Sequence, residues 1–195
     1  MNRYALLITV ITLTTVQLSG QKNYVADVAS TQIIWNAKKV TGEHTGTIAL
    51  KDGWLTLKGS AITGGEFNID MTTIKDSDLK DDKMKGMLEG HLKSDDFFGV
   101  EKYPLSRLVI TGSTVQPDGK IAVKGELTIK GKTNPVEFTA TPEKKGEETV
   151  YNTVITVDRT LYDVRYGSGK FFANLGDKVI YDEFTLTVTL VVRKK

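Results

Sequence analysis

Residues 182–192 read Asp182-Glu183-Phe184-Thr185-Leu186-Thr187-Val188-Thr189-Leu190-Val191-Val192. Phe184, Leu186, Val188 and Leu190 fall on one face, and Thr185, Thr187 and Thr189 on the other. Side chains along a strand alternate between faces, so this stretch predicts a half-buried β-strand. The same period of two runs back through the chain. Ile33, Trp35 and Ala37 alternate with Ile34, Asn36 and Lys38, and Phe67, Ile69 and Met71 with Asn68 and Asp70. Leu105 to Val115, Lys120 to Lys130 and Thr149 to Val157 read as further strands, with Pro117-Asp118-Gly119 as a turn between the first two. Asp52-Gly53, set between two alternating runs, predicts a hairpin turn. Gly64-Gly65 is read as further punctuation, Gly131 to Asn134 as a turn, and Pro142 to Glu148 as a solvated loop.

About eight short strands with one interruption indicate an all-β fold, an antiparallel barrel or sandwich. An eight-stranded barrel has an interior wide enough for one small ligand. The interruption is Asp76 to Phe98, rich in charge, with Met84, Met87, Leu88 and Leu92 at near-helical spacing. It predicts one or two short amphipathic helices, the second capped by Ser94 with Asp95 and Asp96 in its first turn. Gly86 and Gly90 weaken the first of them.

The chain has 195 residues, no Cys, 26 Lys plus Arg and 24 Asp plus Glu. One domain of this length buries a core without staples. The missing Cys excludes disulfide scaffolds, thiolate metal sites and Cys nucleophiles. A net charge of +2 excludes a general grip on nucleic acid, which needs a concentrated basic footprint. Met1 to Gly20 pairs Arg3 with an uncharged run from Ala5 to Val16 and ends in Ser19-Gly20. That pattern predicts a signal peptide over residues 1–20, a mature domain over 21–195, and a periplasmic or secreted protein.

Catalytic constellations are missing. No GxSxG elbow is present. Gly167-Ser168-Gly169 lacks the strand-to-helix setting of a phosphate cradle. His44 and His91 are the only histidines and have no HxxxH or HxH spacing. No metal site is expected, and the two are read as a strand-end and a helix-face residue. Asp158-Arg159 and Asp182-Glu183 are read as ion pairs that fix loops. Aromatic residues gather at Phe97-Phe98 and at Tyr162, Tyr166, Phe171 and Phe172.

The segment His91-Leu92-Lys93-Ser94-Asp95-Asp96-Phe97-Phe98-Gly99-Val100-Glu101-Lys102-Tyr103-Pro104 resembles the LxSxDFFdvekyP signature of the YceI family, lipocalin-like polyisoprenoid-binding proteins. Val123 to Val136 resembles the family's "v.G.LTi.Gvt.pV" motif. Thr41 to Gly46 is similar to its early Gly turn, and Val157 to Tyr162 to its late "DR" segment. Two stretches depart from the pattern: Leu105-Ser106-Arg107-Leu108, and the long aromatic connection from Tyr162 to Gly176.

The resemblance implies an eight-stranded antiparallel lipocalin-like barrel with short capping helices. It implies export, and a polyisoprenoid or isoprenoid quinone held in the barrel without a catalytic site or cofactor. The ligand would lie against Trp35, Phe67, Ile69, Met71, Leu108, Phe138 and Phe184, with Phe97, Phe98 and Tyr103 at the capped end. Asp95, Asp96 and Tyr103 are also read as fixing the cap to the barrel. A carrier of this kind would meet membranes transiently, as monomer or homodimer. The competing expectation is a barrel filled by its own side chains, which contacts another exported protein and supports envelope stress resistance without bound lipid.

Overall fold

The computed structural model describes residues 22–195, so the segment read as a signal peptide lies outside the described residues. The period-two runs become nine strand segments: β1 (Lys22–Ala26), β2 (Gln32–Lys39), β3 (Gly42–Lys58), β4 (Ala61–Asp76), β5 (Leu105–Val115), β6 (Ile121–Ile129), β7 (Lys132–Lys145), β8 (Glu148–Asp158) and β9 (Ile180–Lys194). Helix α1 (Asp82–Lys93) joins β4 to β5. All pairings are antiparallel, and β3 pairs with β4 to close the sheet on itself. β1 and β2 both lie between β3 and β9, at different heights, so nine segments fill eight wall positions. Closure leaves no free sheet edge, which matters for a chain with no disulfide.

Turn chemistry holds the register. The β6–β7 connection is Lys130-Gly131, between the partners Ile129 and Lys132, and both residues have positive φ (49° and 71°). That is the backbone of a two-residue hairpin whose twist matches its strands. Lys132 to Asn134 therefore belongs to β7, not to the turn.

Three other expectations change. Asp52-Gly53 is not a hairpin but part of continuous β3, next to a register shift between Leu50 and Asp52. Gly53 is needed there because the Phe67 ring lies on it: a Cβ would stand 2.3 Å from the ring. The signal for a turn was thus a signal for close approach. Gly64-Gly65 likewise stays inside β4, where Gly65 packs against Leu55. The 142–148 stretch is mostly strand, because β7 and β8 remain paired down to Lys145 and Glu148.

The helical interruption forms one helix. Asp81 is its N-cap and accepts from the Met84 N–H at 2.8 Å. Ser94 is its C-cap, not the start of a second helix, and its hydroxyl donates to the His91 carbonyl. Gly86 and Gly90 are tolerated within it, although no residue of α1 is buried. No helix among the described residues is long and apolar enough to cross a membrane.

Candidate functional site

Every strand gives one face to the interior, and the rows meet side by side. Trp35, Leu186 and Ile155 are neighbours across β2, β9 and β8, and Phe67, Leu108 and Leu127 across β4, β5 and β6. These side chains do not meet in the middle. They surround a cavity of about 190 Å³ that runs through the barrel. Its wall is almost entirely aliphatic and aromatic; its polar groups are those of Thr31, Ser106, Thr153, Arg159, Tyr151 and Tyr181, and the Trp35 indole N–H, which is buried without a partner among the described residues. The Ser106 hydroxyl is turned to the Met71 sulfur, 3.0 Å away, which leaves little polarity facing inward.

Nine of the ten residues expected at the site line this cavity: Trp35, Phe67, Ile69, Met71, Phe97, Phe98, Leu108, Phe138 and Phe184. Tyr103 does not. It stands outside, 37% exposed, against Gly99 and Gly131. Its ring would touch a Cβ at Gly131 at 3.0 Å, so it packs the cap onto the β6–β7 turn. The sequence reading passed over Ile33, Leu50 and Ile62, as well as Arg159. The first three carry the same alternation as Ile69, Met71 and Leu108.

The capped end has its own construction. Residues 94–104 turn back on α1, with Phe98 N–H donating to Leu92 and Gly99 N–H to Ser94. Val100 packs with Met71 and Ile74 beneath the helix. Lys130, at the β6–β7 turn, donates to the Asp95 carbonyl at 2.8 Å, and Lys102 pairs with the Asp95 carboxylate at 2.7 Å. Lys102 holds that carboxyl below its ordinary range. His91 lies edge-on to Phe97 and to Tyr166 at 4.9 and 4.6 Å, so cap and late loop share one aromatic cluster. Phe97 is buried, and the Arg159 guanidinium sits 5.9 Å from its centroid.

Arg159 anchors the late loop. It opens a 3₁₀ turn (Arg159–Tyr162) and is only 3% exposed. Its guanidinium donates to the carbonyls of Val164, Ile180 and Tyr181 at 2.7, 2.9 and 3.1 Å. Burial pulls its pKa down, against Asp182 and Asp158, which favour the charge. Burial also works to raise the Asp158 pKa, but bonds from Thr160 and Lys170 outweigh it and the net shift is downward. Lys170 reaches both Asp158 and Asp182, at 2.9 and 3.3 Å. These charges fix loop geometry, as their sequence positions suggested. A wide polar groove lies over them on the outside, lined by Asn36, Lys38, Thr156 and Lys170.

Chemically, the interior can bury an apolar chain. Comparison with known proteins agrees on the architecture. BcnA of Burkholderia cenocepacia superposes with a TM-score of 0.68 at 21% identity, over 85% of this chain and 98% of that one. A polyisoprenoid binding domain from Saccharophagus degradans superposes at 0.61 and 10% identity, over 88% and 98%. A UPF0312 protein of Shewanella denitrificans is 27% identical over 99 residues, 50% of this chain and 48% of the relative. A UPF0312 protein of Pseudomonas putida is 40% identical over 58 residues, 30% of each. The matched stretch thus spans about half the length of the first relative and under a third of the second. The YceI-like domain model matches residues 24–192, nearly every strand of the closed barrel, and the chain belongs to the YceI-like family.

Proposed function

We propose that this protein is an exported, non-enzymatic carrier that holds a polyisoprenoid or an isoprenoid quinone in its barrel. The observation that carries the reading is the hollow apolar interior. A prenyl chain is flexible, methyl-studded and without hydrogen-bonding groups. It gains most from leaving water and needs few polar partners, and this wall supplies almost none. Phe67, Phe138 and Phe184 supply broad faces, and Met71 an adaptable one. The structural neighbour from Saccharophagus degradans, described as a polyisoprenoid binding domain, shares this architecture. The reading of residues 1–20 as a signal peptide places the carrier in the periplasm or outside the cell.

The cavity of about 190 Å³ favours this reading over a barrel filled by its own side chains. Mass spectrometry of organic extracts of the purified protein tests the proposal. Co-purified polyprenol or quinone is the expected result. Protein that carries no apolar ligand and takes up neither long-chain prenol nor ubiquinone from detergent overturns it.

A further inference from the structure

We propose that His44, Asp76 and Asp78 form a binding site for a divalent cation of the zinc class, where β4 passes into the capping helix. One donor atom from each of the three lies within 4.8 Å of the others. They come from the start of β3, the last residue of β4 and the connector that follows. Spacings of 32 and 2 positions conceal the cluster from any motif search.

The state of Asp76 points to a ligand. It is only 2% exposed. One of its carboxylate oxygens accepts from the Leu79 N–H at 2.9 Å, while Oδ2 is buried with no hydrogen-bond partner. A buried carboxylate oxygen without a partner is costly, and a second carboxylate beside it adds repulsion. Among the described residues no Lys or Arg lies within ion-pair distance of Asp76 or Asp78. A bound cation would satisfy Oδ2 and offset both charges.

The donor set favours zinc over calcium or magnesium. Imidazole nitrogen with two carboxylates is a zinc-type set, whereas the harder cations take six or more oxygens. His44 Nδ1 and Asp78 Oδ2 are 3.0 Å apart. Two ligands on a tetrahedral zinc with ordinary bond lengths stand about 3.3 Å apart, so a slight opening of this pair admits the ion. Both side chains are partly exposed, which leaves room for water as a fourth ligand. The supporting groups are already in place. Asp78 is aimed by the Thr45 N–H at 2.7 Å, and Glu89 of α1 accepts the Asp76 N–H at 3.0 Å. A cation here would fasten the connector, and with it the helix, to β3.

The site is independent of the lipid reading, since no lipid enters its test. Chelator-stripped full-length protein is titrated calorimetrically with zinc chloride and, separately, with calcium chloride, beside His44→Gln and Asp78→Asn. One zinc per chain is expected, bound at least about tenfold more weakly by each variant, with calcium weaker than zinc. No zinc uptake by the parent protein, undiminished uptake by a folded variant, or equal affinity for calcium overturns the proposal. Should Asp78→Asn fail to fold by circular dichroism, His44→Gln decides alone, because that side chain is partly exposed and bonds only to Asp78.

Discussion

The wall of the barrel and its cap are held by different physics. Each wall strand is hydrogen-bonded on both sides, and residues such as Leu55, Ile121, Val123 and Val192 are almost wholly buried. The cap helix buries no residue at all, and Met84 and Met87 face solvent. Its attachments are fewer and mixed: Glu89 to Asp76, Lys130 to Asp95, Leu92 against Met71, Ile74 and Val100, and His91 edge-on to Phe97 and Tyr166. Regions with few buried apolar contacts open at lower free energy than the global fold. The wall therefore sets the cavity, and under the proposed carrier function the more easily opened cap is the expected route of entry, so substitutions in the two should separate stability from exchange of ligand.

The largest effect is expected where the two regions meet, at Arg159. Arg159→Ala removes a buried cation and strands three carbonyls, those of Val164, Ile180 and Tyr181. Breaking a buried charged network of this kind costs about 3 kcal/mol or more. Urea unfolding should show that loss, together with release of the 160–180 loop to proteolysis. A loss near zero would mean that the late loop belongs with the loosely held cap.

Next comes Gly53→Val in the wall. The new side chain must displace the Phe67 ring, since even a Cβ would lie 2.3 Å from it. Overpacking costs about 1–3 kcal/mol, and the displaced ring enters the cavity. Denaturant midpoint and ligand capacity should fall together, unlike any cap substitution. Unchanged capacity with reduced stability would show that Phe67 yields outward and leaves the cavity open.

Asp81→Ala acts on the cap alone. It deletes the side chain that accepts the Met84 N–H and should cost about 1 kcal/mol of helix stability. Because α1 buries nothing, the midpoint of global unfolding should move little while release of bound fluorescent fatty or prenyl probe quickens. A slower or unaltered release rate would break the link between cap and entry.

The same contrast explains which features could be read from residues alone. Period-two alternation reports on a sheet with one face inward, so the wall and the seven expected lining residues on strands follow from it, whereas Phe97 and Phe98 lie in the cap loop and come from the family signature. Glycine was ambiguous. In Gly53 and Gly65 the freedom serves close packing across strands rather than chain reversal, and only the partner ring or side chain distinguishes the two uses. Tyr103 failed because a short loop has no period that says which way a side chain points. Ser94 failed because the same hydroxyl can end a helix or begin one. The His44, Asp76 and Asp78 cluster depends on the register between β3 and β4, with Gly46 opposite Asp76, and register is not written in spacing.

The smallest effect at neutral pH, and the one most specific to the interior, belongs to Tyr151. It is buried in the wall, lines the cavity, and burial pushes its pKa up to about 12, with Tyr24 adding to the shift. The folded value lies above the ordinary 10.0. Below pH 10 both folded and unfolded chains keep the proton, and the group adds no pH dependence. Between 10 and 12 the unfolded chain gives it up while the folded chain does not, so stability falls across that window. Tyr151→Phe should leave stability at pH 7 within about 1 kcal/mol of the parent, because among the described residues its hydroxyl makes no hydrogen bond, and should flatten part of the alkaline decline. Its ultraviolet titration should lack the last phenol to ionise. An alkaline decline identical in parent and variant would place that hydroxyl in contact with water and contradict a dry wall at this height of the barrel.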